Sequence, residues 1–271
     1  MGPIRGSIPC GGVSADLDLA LALADVADAI TMDRFLAEDL VVDTKPDLTP
    51  VTEADRAAEE AIRARLAELH PGDAILGEEY GQSDTGAGAR RWIVDPIDGT
   101  KNYVRGIPVW ATLLALQEGE ELVVGVISAP ALGRRWWAAH GEGAFVDDRL
   151  RGGGPRRIGV SGVRSLADAQ LSFSGLEDWK DGGAALTRLA QSSWRSRAYG
   201  DFWSYALLAE GVVDVACEPI VELWDLAAPR VLVEEAGGRF TDLGGVRTAT
   251  GGDALATNGL LHDAALAIIG R

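Results

Sequence analysis

The chain has 271 residues, of which 47% are hydrophobic, and a formal net charge of −16. This length and hydrophobic content predict a globular fold with a large core, in one large domain or in two closely packed halves. The acidic balance argues against nucleic acid as a partner, because contacts to a phosphate backbone need clustered lysine and arginine. An acidic pocket would instead suit a substrate that carries amines or an imidazolium.

The two cysteines predict no covalent or zinc framework. Cys10 and Cys217 lie far apart and outside any CxxC pair, so neither a disulfide scaffold nor a zinc site is expected. No apolar run approaches the roughly 20 residues that cross a bilayer, and residues 1–13 lack the apolar core of a secretory signal. We therefore predict a cytoplasmic protein without a membrane partner, with a disordered tail at 1–13 ahead of a single domain at 14–271.

The first half of the chain predicts two helices and several strands. An Ala- and Leu-rich segment from Ser14 to Glu38, with Ser14 as N-cap, predicts the first helix. Residues 41–51, interrupted by Pro46 and Pro50, predict a loop or hairpin before a second helix that begins at Thr52. Strands are predicted at 74–76 and 92–94, at two runs within 109–129 that form a hairpin, and at 135–138.

The second half alternates helices with strands. The run at residues 152–155, Gly-Gly-Gly-Pro, is the clearest break in the chain, and it predicts a soft boundary between halves at about 14–152 and 153–271. No internal repeat is present. Beyond the break, the pattern predicts a strand at 213–217 and helices at 184–191, 202–210 and 225–236, the last ended by Gly237-Gly238.

Residues 92–100 hold most of the functional information. They read Trp-Ile-Val-Asp-Pro-Ile-Asp-Gly-Thr, so a short apolar strand runs into two carboxylates, a glycine and a hydroxyl. Pro96 keeps Asp95 extended, which leaves both aspartates facing outward at the strand end, and Gly99 lets backbone approach a ligand closely. Residues 98–100 predict the start of a helical turn whose free N–H groups would bind phosphate. This pattern indicates a metal and phosphate site.

Two distant acidic segments, Gly77-Glu78-Glu79 and Trp224-Asp225, suggest a single cage together with this block. Two carboxylates about 4 Å apart repel by about 4 kcal/mol at an effective dielectric near 20, so four of them need raised pKa values or bound cations. Ligands that are all oxygen, with no Cys/His cluster in reach, favour Mg²⁺ over Zn²⁺, with Mn²⁺ as a plausible substitute.

Three signatures in chain order carry a family resemblance: Gly77-Glu78-Glu79, residues 92–103, and residues 224–238. Over about residues 14–268 the chain resembles the inositol monophosphatase-like, Mg²⁺-dependent phosphatases. The resemblance implies an α/β (α+β) fold with layers in the order αβαβα, usually in a homodimer. It also implies hydrolysis of small phosphate monoesters with two or three Mg²⁺ ions.

The resemblance assigns metal ligands residue by residue. Glu78, Asp95 and the backbone carbonyl of Ile97 would hold the first ion. Asp95, Asp98 and Asp225 would hold the second, with Asp95 bridging the two. Of the pair at 78–79, Glu78 is expected to be the inner carboxylate and Glu79 an outer-shell or surface residue. Asp225 has a simpler alternative, as the N-cap of its helix.

The resemblance also implies how water and substrate are held. Thr100 with Glu78 would position the attacking water, and Asp55 would hydrogen-bond to Thr100 and orient it. Asp55 also stands three residues after Thr52, so it could simply close a capping box. The implied substrate-binding set is Ile97, Asp98, Gly99, Thr100, Gly200, Asp201, Glu218 and Asp225.

Within the family, the chain looks most like the branch that acts as histidinol-phosphatases, on residues 45–52, 134–137, 197–202 and 256–262. Asp201 and Glu218, with Gly200, are the candidates for substrate choice, because carboxylates could pair with the ammonium and imidazole of histidinol phosphate. Branches that act on inositol 1-phosphate, sugar bisphosphates or nucleotide bisphosphates share the metal motifs, so such a substrate is the alternative.

Two rival functional classes remain open at this point. Asp95 to Thr100 is superficially like the Asp-x-Asp-x-Thr motif of phosphatases with an aspartate nucleophile, but these aspartates are three apart instead of two, and Glu78 and Asp225 would have no role. The other rival is a non-catalytic metal-binding regulator. The motif positions are intact, which favours the enzyme.

Overall fold

The structure is a computed structural model that describes residues 15–46, 48–83, 90–176, 178–179 and 182–270. The predicted tail at 1–13, together with Cys10 and the predicted N-cap Ser14, lies outside the described residues. Within those described ranges, no helix combines the length and apolar character that crossing a bilayer requires.

The described part of the chain forms seven α-helices and fifteen strands. The helices are α1 (Ala15–Arg34), α2 (Glu53–Leu69), α3 (Thr100–Val104), α4 (Ala184–Ser192), α5 (Asp201–Ala209), α6 (Leu223–Glu235) and α7 (His262–Ile269). The strands are β1 (Val42–Thr44), β2 (Pro50–Thr52), β3 (Ala74–Gly77), β4 (Gly81–Gln82), β5 (Arg90–Asp98), β6 (Ala111–Glu118), β7 (Glu121–Ala129), β8 (Arg134–Ala139), β9 (Gly143–Asp148), β10 (Arg156–Ile158), β11 (Gln170–Phe173), β12 (Arg195–Arg197), β13 (Val215–Glu218), β14 (Arg239–Thr241) and β15 (Ala254–Thr257).

Two sheets and three helical layers stack in the predicted order αβαβα. The larger sheet has eight strands in the order β10-β9-β8-β7-β6-β5-β3-β4, and the smaller has five in the order β12-β11-β13-β15-β14. One apolar core joins α1 and α2 to the outer face of the larger sheet, and a second places α5 and α6 between the sheets. A third core packs α4 and α7 on the smaller sheet. The layered α/β prediction is confirmed.

The predicted halves divide at residue 152, and that division stays a prediction. β10, at Arg156–Ile158, pairs antiparallel with β9 at the edge of the larger sheet. The core between the sheets contains side chains from both sides of the glycine run, including Trp136 and Leu226. The two predicted halves therefore share one core.

The first helix is shorter than the sequence predicts. It ends at Arg34 instead of Glu38, because Leu36 has a φ of 67°, a left-handed conformation that a helix of L-residues cannot continue through. The segment 41–51 does form a hairpin, in which β1 and β2 pair antiparallel from Val42↔Thr52 to Thr44↔Pro50. Pro50 therefore starts a strand instead of breaking one.

The strand that carries the predicted site is longer than expected. The sequence predicts it at 92–94, but β5 runs through Asp98. Its register against β6 shifts between Asp95 and Asp98, which is a β-bulge, and Pro96 is tolerated there because no ladder bond is lost. The Thr112 hydroxyl donates to the Pro96 carbonyl at 2.8 Å. The bulge brings both aspartates to the same end of the sheet.

His262 has no role that the sequence indicates, yet the structure buries it completely at the start of α7. Its two ring nitrogens lie 3.0 and 3.1 Å from the hydroxyls of Thr241 and Thr257. These contacts tie α7 to β14 and β15. Burial, followed by the charge of Arg239, lowers the pKa of His262 to about 4.

This pKa predicts a pH-dependent contribution to stability. Above the unfolded value of 6.5 the imidazole is neutral in both states, whereas between 6.5 and about 4 only the unfolded chain takes up the proton, so stability is lost as pH falls. The full loss is about 3 kcal/mol. In denaturant unfolding, wild type should lose about that much more free energy than His262→Gln between pH 7 and pH 4. If the free energy of unfolding changed with pH equally in the two proteins, this account would be contradicted.

Candidate active site

Three aspartates converge at the end of β5. Asp95 and Asp98 come from the bulged strand, and Asp225 comes from the first turn of α6, where each offers a carboxylate oxygen within 4.8 Å of the others. Asp95 and Asp98 are only 1% and 8% exposed. The structure thus brings together residues that are about 130 positions apart in the chain. A buried group of oxygen donors is what a hard divalent cation prefers.

Backbone amides fix the rotamer of each aspartate. Asp95 Oδ1 accepts from the Ile97 N–H at 3.0 Å, Asp98 Oδ2 from the Phe202 N–H at 2.6 Å, and Asp225 Oδ2 from the Glu222 N–H at 2.7 Å. Asp225 is therefore not the N-cap of α6; Glu222 holds that position. Each of these bonds uses one oxygen of its carboxylate, so the cluster is held in position by the backbone of β5, α5 and the start of α6.

Electrostatics favour a cation in this cluster. Burial raises the pKa of Asp95 and Asp98 well above the usual range, and nearby carboxylates raise both values further. Burial also raises the pKa of Asp225 to about 7. None of the ion pairs found among the described residues includes these three side chains. A bound divalent cation would relieve the repulsion among these carboxylates, so the residues present fit a metal.

Glu78 and Glu79 approach the cluster from the turn after β3. Glu78 lies within hydrogen-bonding reach of Asp95, and Lys45 Nζ lies 2.7 Å from Oε1 of each glutamate. The Glu79 side chain is 5% exposed and that of Glu78 is 21% exposed. Glu79 is therefore not a surface residue, and burial raises its pKa to about 7.

Sequence reasoning gave Lys45 no role in the site. It is the single lysine of the β1–β2 hairpin, and its ammonium is the nearest cationic partner that the described residues offer to Glu78. The available signal was a lone lysine in the loop between two short strands of an acidic chain. Only the fold shows that this loop reaches the turn at 77–79.

Gly77 is required by a buried carboxylate that the sequence did not single out. Glu59 of α2 accepts from the Glu79 N–H at 2.8 Å and the Tyr80 N–H at 3.3 Å, and Arg63 pairs with it at 2.7 Å. A Cβ on Gly77 would stand 2.0 Å from Glu59 Oε1. Glu59 thus holds the Gly77-Glu78-Glu79 turn in position, and only glycine leaves room for it.

Gly77→Ala should displace Glu59 and loosen this turn. Because hydrogen bonds to a charged acceptor are worth about 1.5–3 kcal/mol, we expect the free energy of unfolding to fall by about 2 kcal/mol and the affinity of the site for a divalent cation to fall about tenfold. Calorimetric titration and denaturant unfolding measure both. Gly72→Ala is the matched control, since a Cβ there meets nothing within 4 Å. Equal behaviour of the two variants would contradict the role given to Glu59.

Thr100 and Asp55 are in contact, as the resemblance implies. Thr100 Oγ1 donates to the Ile97 carbonyl at 2.9 Å and lies 3.2 Å from Asp55 Oδ1. Asp55 also accepts from the N–H of Thr52 at 2.8 Å and from its hydroxyl, which closes the capping box of α2. The simple interpretation of Asp55 and the functional one are therefore compatible. Burial raises the pKa of Asp55 to about 6 in spite of these donors.

Gly99 allows α3 to start directly behind the aspartates. Its φ is 83°, and a Cβ there would lie 3.1 Å from the Val109 carbonyl and 3.4 Å from Asp201 Oδ2. α3 begins at Thr100 with Gly99 as N-cap, as expected for a helical turn at this point. That its free N–H groups bind phosphate stays a prediction.

The candidates for substrate choice lie beside the metal cluster, but not all on an open edge. Gly200 and Asp201 have φ values of 69° and 49°, a turn that leaves Asp201 Oδ2 3.4 Å from Asn102 Nδ2. Glu218 is only 4% exposed. Its burial raises its pKa to about 8. Donors from α5 reach Glu218, so this carboxylate lies inside the site and not on its solvent-exposed edge, and its role in substrate choice stays a prediction.

Comparison with known families identifies the fold. A model of the inositol monophosphatase family matches residues 14–270. The chain belongs to this family. Its members are metal-dependent phosphatases, so the resemblance drawn from the three signatures is confirmed. The three aspartates form a group that could hold a metal ion.

Curated relatives and solved structures agree with the family. The chain is 59% identical to histidinol-phosphatase of Mycobacterium tuberculosis, over 93% of this chain and 96% of that protein. It is 53% identical to histidinol-phosphatase of Streptomyces coelicolor, over 94% and 97%. Among solved structures, the IMPase of Thermotoga maritima matches with a TM-score of 0.84 at 32% identity, covering 94% of this chain and 97% of that one. SuhB of Bartonella henselae matches with a TM-score of 0.86 at 28% identity, over 95% and 99%.

Proposed function

We propose that the protein hydrolyses L-histidinol phosphate to L-histidinol and phosphate, a step of histidine biosynthesis, with Mg²⁺ as its metal. Membership of the inositol monophosphatase family makes it a phosphatase that acts on a small phosphorylated substrate. The observation that carries the choice of substrate is a pair of carboxylates, the half-buried Asp201 and the buried Glu218, that stand beside the metal cluster and take part in none of the ion pairs of the described residues. Histidinol-phosphatases at 59% and 53% identity support it.

The donor set supports magnesium. Asp95, Asp98 and Asp225, with Glu78 and the Ile97 carbonyl, offer only oxygen, which suits Mg²⁺ and admits Mn²⁺. We infer two or three ions for each site, since one ion would leave several of these carboxylates uncompensated. Ions bound there would acidify a water molecule and neutralise the phosphate oxygens.

The chain's own residues would orient that water. The Thr100 hydroxyl has one proton and two acceptors in reach, Ile97 O and Asp55 Oδ1, so a lone pair of Oγ1 stays free to accept a hydrogen bond from water. The Glu78 carboxylate offers a second acceptor. Water held by two acceptors points its oxygen at phosphorus, and positioning of this kind supplies a large share of catalysis.

The charge balance beside the metal cluster favours a cationic alcohol. Burial raises the pKa of Asp201, and Lys101 is the cation whose charge opposes that rise, but none of the ion pairs in the described part of the chain includes Asp201 or Glu218. A buried, unpaired carboxylate is costly. The ammonium and imidazole of histidinol phosphate would favour the charged form of these two groups and give them charge-assisted hydrogen bonds, whereas the hydroxyls of an inositol phosphate supply no such positive charge.

Asp201→Asn combined with Glu218→Gln tests this assignment. Both changes keep the shape of the side chain and remove its charge. Since a hydrogen bond to a charged group is worth about 1.5–3 kcal/mol, we expect the KM for histidinol phosphate to rise about 100-fold or more, with kcat changed far less. The KM for inositol 1-phosphate should stay level or fall. Unchanged kinetics with histidinol phosphate would remove these residues from substrate recognition.

Inositol 1-phosphate or another sugar or nucleotide phosphate of the same family remains the second candidate, because these branches share the metal motifs. Membership of the family and the identity to histidinol-phosphatases favour a phosphatase over the non-catalytic regulator and the aspartate-nucleophile enzyme. The homodimer and the cytoplasmic location are part of our proposal and rest on the sequence.

A further inference from the structure

Glu218 is held at both of its oxygens by a single helix. Its Oε1 accepts from the Asp201 N–H at 3.3 Å, and its Oε2 accepts from the Tyr205 hydroxyl at 2.6 Å. Both donors belong to the first two turns of α5. Among the hydrogen bonds of the described residues, the one from Tyr205 is the only bond to this carboxylate from another side chain.

The same helix start also fixes a residue of the metal cluster. The Phe202 N–H donates to Asp98 Oδ2 at 2.6 Å, one residue after the N–H that serves Glu218. The left-handed conformations of Gly200 and Asp201 turn these consecutive amides towards two different carboxylates. The first turn of α5 therefore sets the spacing between the metal cluster and the carboxylate that would recognise the alcohol.

Tyr205 is itself held rigidly. Its side chain is 1% exposed, and its ring packs 5.7 Å from that of Phe240, centroid to centroid. One position earlier, the Ser204 hydroxyl lies 2.6 Å from that of Ser172 on β11. Because the ring is fixed, the phenol oxygen stays 2.6 Å from Glu218 Oε2, to which it donates its proton.

We propose that Tyr205 is a positioning residue that holds the Glu218 carboxylate towards the substrate and thereby sets the preference of the site for a cationic phosphate ester. The inference rests on the proposed function. A glutamate side chain has several rotatable bonds, so without the phenol its carboxylate would lose one of two donors and sample other orientations. The metal cluster does not depend on Tyr205, so the effect should fall on binding of the alcohol part and not on the reacting phosphate.

The test is Tyr205→Phe, assayed with L-histidinol phosphate and with inositol 1-phosphate in saturating Mg²⁺. We expect the KM for histidinol phosphate to rise about tenfold, kcat to change less than about threefold, and the KM for the inositol ester to stay level. The matched control is Tyr199→Phe, since Tyr199 lies in the same segment and its described contact is the ring of Trp203. In a Glu218→Gln background, Tyr205→Phe should add less than about twofold.

Other outcomes would overturn the proposal. An equal loss of activity with both esters would mean that Tyr205 only supports the fold. A preference for histidinol phosphate as strong as that of wild type would mean that Glu218 does not need the phenol. If Tyr205→Phe does not fold, Glu218→Asp replaces it, because the shorter side chain keeps the charge but withdraws from the phenol. Glu218→Asp should lose as much of the preference for histidinol phosphate as Glu218→Gln does. A preference equal to that of wild type would refute the role of Tyr205. Wild type without turnover of histidinol phosphate would instead refute the proposed function.

Discussion

Replacing Asp98 with asparagine should abolish phosphate release and leave the fold intact. Asp98 contributes one of three converging carboxylates, and an amide oxygen cannot replace its charge in holding a divalent cation. Metal ions at such sites supply several kcal/mol of transition-state stabilisation. Since each 1.4 kcal/mol is a factor of ten in rate, we expect kcat to fall at least about a thousandfold at saturating Mg²⁺.

A measurement of stability distinguishes the loss of a metal ligand from simple unfolding of the Asp98→Asn variant. In excess chelator, Asp98 is a buried carboxylate whose pKa is raised by burial and by the charge of neighbouring acids, so Asp98→Asn should unfold at the same denaturant concentration as wild type or a higher one. Asp147→Asn on β9, outside the cluster, is the control and should keep full activity. A variant at position 98 that keeps a tenth of the wild-type rate would show that Asp98 is not a metal ligand.

Thr100→Val and Asp55→Asn should both lower kcat about 100-fold, because positioning of water or a proton by a side chain contributes about 10²–10⁴. Their effects on stability should differ. Asp55 closes the capping box of α2, so Asp55→Asn should cost about 1 kcal/mol of unfolding free energy. Thr100 takes no part in that cap, and Thr100→Val should cost less.

Comparison of these two variants distinguishes a capping role of Asp55 from a role in orienting Thr100. Steady-state assays with L-histidinol phosphate and denaturant unfolding, run on the same preparations, give both quantities. If Asp55→Asn loses stability but keeps its rate, Asp55 is a helix cap and nothing more. If Thr100→Val keeps its rate, water is held by other groups and the role of the hydroxyl is refuted.

The sequence is sufficient to locate the aspartate cluster because the residues that shape it act through their immediate neighbours in the chain. Pro96 keeps Asp95 extended, and Gly99 permits the positive φ from which α3 starts. Asp225 stands in the first turn of a helix, where a carboxylate faces the free amides. These properties can be recognised from a few neighbouring letters, and the family resemblance supplied the rule that the three segments meet. The layered order of helices and sheets follows from the same resemblance.

The parts that sequence reasoning missed depend on contacts between distant segments. Nothing near Lys45 indicates that its hairpin reaches the turn of Glu78, and nothing near Glu59 indicates that Gly77 must make room for it. The resemblance names Glu218 as a candidate for substrate choice, but its burial depends on the path of α5, which no neighbouring residue indicates. The bulge in β5 likewise requires the register of β6, which no single strand reveals.

The most direct test of the proposed function is phosphate release from L-histidinol phosphate and from inositol 1-phosphate, measured side by side with Mg²⁺ and with excess chelator. We expect turnover that requires Mg²⁺ and strongly favours histidinol phosphate. Preference for the inositol ester would keep the metal chemistry but contradict the substrate that we infer from Asp201 and Glu218. Turnover that survives the chelator would contradict the metal-dependent site itself.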